Sequence, residues 1–248
     1  MRGSFRFDVR HHTSREFERS LNPYFERSLK KVVAALAPPR RAPYIESMNR
    51  PPSPKRQQAL SRAMNLFWRK GFHATSLKDL EGALDMRPGS IYAAFGSKEA
   101  LFRLALDRYG AEMGAQTARI FDAAPTPLAG LAAYLRSLGG LRDSDAPSYA
   151  CMLMKTVLEL PPGDDPARAA AEALLARAEA GFAKQFAAAR DLGELAAIAD
   201  PARLGRRLQI NVMGLKAYAQ RGADSADLRA AAEDMAREVE ALARSVTS

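Results

Sequence analysis

From Pro54 onwards the apolar residues recur every three to four positions, and no stretch alternates with period two for long enough to require a strand. A chain patterned in this way must bury its apolar stripes by packing helix on helix, so the expected fold class is all-α. Prolines, glycines and capping residues divide the pattern. Pro54 opens the first segment and Gly71 closes it. Ser76-x-x-Asp79 has the form of a capping box ahead of the second. Gly96-Ser97 ends one segment and caps the next, and Asp200-Pro201 reads as a cap followed by a first-turn proline. The spacing predicts helices over 54–70, 77–84, 89–95, 98–123, 127–138, 148–160, 165–190, 201–221 and 225–245. There is no internal repeat of 20–50 residues that would signal a solenoid.

Residues 1–53 have a different character. Asn22-Pro23 starts at most one short amphipathic helix, over 23–37, and Pro38-Pro39 stops it. The prolines after it, up to Pro54, make a stiff linker. This part is expected to be a disordered, basic, Pro-rich extension. A membrane-surface helix within 1–47 is the alternative, and deleting those residues without changing liposome partitioning would end it.

The charge is unevenly spread. The chain has 37 Lys and Arg against 28 Asp and Glu, net +9. Residues 1–50 carry +6, residues 51–109 carry +5, and residues 110–248 carry −2. The basic stretch of 51–109 suits a polyanion, and the acidic remainder does not. The single cysteine, Cys151, excludes an intramolecular disulfide and points to a reducing compartment. No apolar run approaches the ~18 residues of a membrane span, and the first residues lack the apolar core of a secretory signal, so a cytoplasmic protein is expected.

Residues 76–95 hold two short helices joined by a tight break at Asp85–Gly89, which is helix-turn-helix spacing. A recognition helix has to offer small or polar side chains to base edges while its flanks hold phosphates. Arg87, Gly89, Ser90 and Ala93 suit that approach, Tyr92 offers a hydroxyl, and Lys98 lies in the first turn of the next helix. Leu77, Leu80, Leu84, Met86, Ile91 and Phe95 are left to pack against the first helix. Tyr92 as a core aromatic is the competing reading, weakened because Phe95 already supplies that anchor. Trp68 and His73 read as packing and surface residues.

The run Phe67-x-x-x-Gly71-Phe72-x-x-Thr75-Ser76-Leu77-x-Asp79-Leu80, followed by Gly89-Ser90-Ile91-Tyr92-Ala93-Ala94-Phe95-Gly96-Ser97-Lys98-Glu99-Ala100-Leu101-Phe102, resembles the DNA-binding domain of the tetracycline-repressor (TetR) family. The resemblance covers about 55–105. It implies a homodimeric, ligand-responsive transcriptional regulator, usually a repressor. A three-helix DNA-binding domain (54–100) would precede a larger helical domain for effector binding and dimerisation (101–248). It also implies that Tyr92 and Lys98 contact phosphates, that Thr75 is a cap and backbone-contact position, and that Arg87, Ser90 and Ala93 face the groove. The partners implied are a pseudo-palindromic double-stranded operator, a small-molecule effector and a second copy of the chain. Leu84-Asp85 departs from the Ala and Gly frequent in the turn, although Asp tolerates a left-handed backbone.

Beyond residue 110 there is no sharp motif. Candidate effector-pocket residues are Met113, Phe121, Tyr134 and Cys151, with Met154, Phe182, Phe186 and Tyr218. Each is also a plausible core residue. Cys151 is read first as a small buried hydrophobe and second as an electrophile or oxidant sensor, with Lys155 one turn later as a nearby cation. The apolar stripes Leu204, Leu208, Val212, Leu215 and Leu228, Met235, Val239, Leu242 are, by the family resemblance, the dimer interface; alone they show one buried face per helix. With only His11, His12 and His73 as histidines, there is no metal-ligand spacing, no cofactor motif and no catalytic constellation. An all-helical small-molecule-binding protein or enzyme with a basic front that binds no specific DNA is the alternative.

Overall fold

A computed structural model describes residues 53–244 with the exception of residue 164. The expectation of a Pro-rich extension with a short helix over 23–37 lies outside the described residues. The chain divides between Pro52 and Ser53 into two units. The second unit contains nine α-helices and one 3₁₀ turn, and no strand among the described residues. They are α1 (Pro54–Lys70), α2 (Leu77–Leu84), α3 (Pro88–Phe95), α4 (Lys98–Ala123), α5 (Pro127–Leu138), α6 (Met152–Glu159), α7 (Pro166–Asp191), α8 (Pro201–Gln220) and α9 (Ser225–Arg244).

Local side-chain chemistry sets most of the helix starts. The Ser53 hydroxyl accepts from Arg56 N–H, and Pro54 fills the first turn of α1. Ser76 and Asp79 form a complete capping box on α2. Ser97, Thr126, Asp165 and Asp200 cap α4, α5, α7 and α8 through their side chains. Hydrogen bonds from Lys70 and then Ser76 hold the Asp79 carboxyl far below the usual carboxylate range.

One expected start is wrong. The helix predicted over 148–160 begins only at Met152. Residues 148–150 instead bend around the side chain of Gln220, whose Oε1 accepts from Ser148 Oγ (2.9 Å), Tyr149 N (2.8 Å) and Ala150 N (3.0 Å). Those N–H groups have their partner in α8 and need no helix to satisfy them.

Two apolar clusters form. The first joins α1–α4 to α6 and the start of α7, around Phe67, Leu80, Ile91, Phe95, Phe102 and Tyr109. The second joins α5, α7, α8 and α9, around Leu131, Leu135, Phe182, Phe186 and Leu228. On its surface Arg136 of α5 forks onto Glu233 (2.7 Å) and Glu240 (2.6 Å) of α9. This fork holds the Glu233 carboxyl down at about 2, chiefly through the Arg136 hydrogen bond. A depressed carboxylate contributes stability that is present above its unfolded value and is lost as pH falls through the folded one. Helix content during acid titration is therefore expected to hold longer, as pH falls from about 4 towards 2, in the wild type than in Arg136→Met. Superimposable acid curves would show that the fork adds nothing.

Candidate nucleic-acid interface

The break between α2 and α3 turns on Asp85, the one non-glycine residue with positive φ among the described residues (φ 54°, ψ 48°). Asp fills the left-handed position here at a modest cost. Arg87 is then extended, and Pro88 supplies the first helical turn of α3. Ile91 and Phe95 point into the first cluster. The opposite side of α3 therefore carries Arg87, Gly89, Ser90, Tyr92 and Ala93, all exposed. Tyr92 is 47% exposed, which removes it from the core. A side-chain carbon built at Gly89 would meet nothing within 4 Å, so glycine there answers no packing demand and leaves the backbone open to close approach.

Lys98 opens α4, with its Nζ 4.3 Å from the centre of the Phe72 ring. Ser97 Oγ accepts from Ala100 N–H at the same terminus. A residue not singled out from the sequence braces the far end of α3. Arg56 Nε donates to Ala94 O (3.1 Å), with its guanidinium over the Phe95 ring.

Thr75 requires a correction. It is fully buried, and its hydroxyl donates to Gly71 O at 2.6 Å. It is a fastener of the turn between α1 and α2, with no hydroxyl available to DNA, and the capping role belongs to Ser76.

The matching family model is that of bacterial regulatory proteins of the tetR type, over residues 59–105, from within α1 into α4. The chain is 33% identical to the TetR family transcriptional regulator CifR, covering 76% of this chain and 98% of that one, with a TM-score of 0.68. That structure is of a cysteine-substituted CifR with 26-bp double-strand operator DNA. The chain is a TetR-family transcriptional regulator. The transcriptional repressor ComR of Escherichia coli (strain K12) is 29% identical over 179 residues, which is 72% of this chain and 85% of ComR. The E. coli NemR structure, at 18% identity and a TM-score of 0.67, supports the fold. These relatives are regulators and not enzymes. Among the described residues of this TetR-family chain no cluster of His, Cys, Asp and Glu could hold a metal ion, and no helix is long and apolar enough to cross a membrane.

The expected effector-pocket residues are divided between the two apolar clusters, with one outside both. Met113 and Cys151 pack against the first cluster. Phe121, Tyr134, Phe182, Phe186 and Tyr218 belong to the second, where Phe121, Tyr134 and Phe182 form a row with ring centres 6.1 and 5.5 Å apart. Met154, half-buried on α6, belongs to neither group. An open groove of about 650 Å³ lies elsewhere, between the end of α4 and α5, lined by Gln116, Arg119, Ile120, Ala129 and Ala133 among others. Periodicity marks which residues face inward, and it does not say into which of two cores.

The expected dimer stripes are also largely internal. Leu208, Val212, Leu215, Leu228 and Val239 are buried in the protomer's own second cluster. A side chain already covered within one protomer cannot form the face offered to another. Leu204, Met235 and Leu242 are only partly covered, and they line a small crevice between α8 and α9.

Lys155 does not turn to Cys151 as a companion cation. Its Nζ donates to Trp68 O (2.6 Å) and Arg69 O (3.2 Å) at the end of α1. Burial pushes this ammonium below the usual lysine range. Trp68 is a packing residue, as expected: its indole N–H donates to Ala150 O at 2.7 Å and its ring meets Tyr109 edge-on.

Proposed function

We propose that the protein is a homodimeric repressor that reads a pseudo-palindromic operator through α3 and releases it when a small molecule binds the C-terminal helices. The observation that carries this is the exposed strip Arg87, Gly89, Ser90, Tyr92 and Ala93, backed by the buried Ile91 and Phe95. That side of α3 is small and polar enough to enter a major groove. Tyr92 and Lys98 flank it as phosphate contacts. In this reading residues 54–100 bind DNA and residues 101–248 sense and dimerise, in the cytoplasm where the operator is. Pairing uses the outward side of α8 and α9, where Ile210 is 62% exposed and Leu204, Met235 and Leu242 line a crevice. The operator complex of the relative CifR supports the DNA reading. The test is the ratio of specific to non-specific affinity for an operator recovered by selection. A ratio above about 10³ is expected, and a ratio near one would sink the proposal.

For the effector, the aromatic row Phe121–Tyr134–Phe182 suits an apolar molecule. A second reading, a small carbon electrophile captured by Cys151, is favoured by one observation. Tyr109 buries its hydroxyl against Cys151 and the backbone of Met152. Burial first, and Cys151 second, push its phenol well above its ordinary value, so it stays protonated as a donor beside the thiol. Treating the protein with N-ethylmaleimide should release operator from the wild type and leave the Cys151→Ser complex intact. Equal release from both would dismiss Cys151 as the sensor.

A further inference from the structure

We infer that Glu159 and Lys155 of α6 are positioning residues for DNA recognition: they clasp the end of α1 and its following turn and, through Phe72, set where the Lys98 ammonium stands. This rests on Lys98 being a phosphate contact.

A helix end leaves carbonyls without partners and concentrates partial negative charge there. Lys155 Nζ meets two of those carbonyls, on Trp68 and Arg69. One turn further along α6, on the same face, Glu159 takes the two N–H groups that come next. Its Oε2 accepts from Phe72 N (3.0 Å) and its Oε1 from His73 N (2.6 Å). Cation and carboxylate thus match the two ends of the chain reversal. Gly71 lies between them with φ +87°, and a side-chain carbon there would stand 2.7 Å from Glu159 Oε2. The close approach of the carboxylate and the backbone angle both call for glycine.

Phe72, whose backbone Glu159 holds, packs its ring against Phe102 (4.9 Å between centres) and Phe67 (6.4 Å). The Lys98 ammonium rests over that ring. The ring occupies one side of the ammonium and leaves N–H groups for a phosphate. The order of contact is therefore Glu159, Phe72, Lys98. The α6 segment is in turn tied to the C-terminal helices at both ends. Gln220 of α8 holds residues 148–150, and Arg168 of α7 donates from Nη1 to Val157 O and Leu160 O. A shift among α7 and α8 that drags α6 cannot leave the Phe72 turn, and hence Lys98, where it was.

The test uses the full-length protein and a selected operator. Affinity is measured against KCl concentration for the wild type, Lys98→Met, Glu159→Gln and the double variant. Lys98→Met should lower the slope of log affinity against log salt by about one per protomer. Glu159→Gln should weaken binding about tenfold and lower the slope in the same direction. In the Lys98→Met background the same Glu159 change should cost less than about twofold, because both act on one contact. An equal cost in both backgrounds, or no cost in either, overturns the inference while leaving Lys98 as a phosphate contact. An unchanged slope in Lys98→Met removes the phosphate reading, and the inference with it. Trp68, the only tryptophan, reports by its emission whether the junction is still folded. Should Glu159→Gln fail to fold, Phe72→Leu keeps an apolar side chain and removes the ring face. It should lower the salt slope as Lys98→Met does, and a wild-type slope in that variant overturns the inference.

Discussion

Truncating Phe67 to alanine is expected to cost the DNA-binding region about 3–5 kcal/mol, the range for emptying a buried aromatic site. Phe67 is 1% exposed and meets Phe102 edge-on at 4.9 Å between ring centres. The void can close only by moving the rings packed on it, Phe72 and Phe102, and Phe72 also carries Lys98. Whole domains are stable by only about 5–15 kcal/mol, so a large part of the margin would go. Thermal or urea unfolding measures the loss. Tyr92→Ala is the control. Its side chain stands in solvent on α3, and the change should stay within about 0.5 kcal/mol while still weakening DNA binding. A Phe67→Ala protein as stable as the wild type would mean that the first cluster does not hold the three helices in register.

Raising salt from 50 to 200 mM should weaken operator binding by about 10³–10⁵, if the dimer makes six to ten phosphate contacts. The charge distribution sets this expectation. The +5 of residues 51–109 lies in the segment that holds α1–α3 and the first turns of α4, whereas residues 110–248 carry −2 and add nothing to the attraction. Binding titrations over that salt range give the slope directly. A slope near zero would put the basic residues of 51–109 away from the phosphates.

Much of the fold was legible because the signals that make it are local. Ser76 and Asp79 satisfy each other's backbone within one turn, and Ser97, Asp165 and Asp200 do the same alone, so a cap can be read three residues from the groups it serves. The side of α3 that faces solvent was legible for a similar reason, since Ile91 and Phe95, one turn apart, fix the buried side. What could not be read depends on groups distant in sequence. Gln220 delays α6 from 70 residues away. Glu159 and Lys155 look like an ordinary i,i+4 surface pair until α1 is placed against them. Thr75 reads as a polar residue at a helix start, and only the carbonyl of Gly71 explains its burial. The stripes on α8 and α9 are buried as their spacing requires, but against α5 and α7 of the same protomer. Periodicity carries no information about which molecule provides the cover.

If α3 reads base sequence as one half of a two-fold dimer, a change on its exposed side must alter both halves of the operator alike. Operator selection from random duplexes, run side by side with the wild type and with Ser90→Asn, tests this most directly. The wild type should recover a pseudo-palindrome with half-sites about 34 Å apart, and the variant a site altered at symmetric positions in both halves. Recovery of no palindrome, or of an identical site from both proteins, would contradict it.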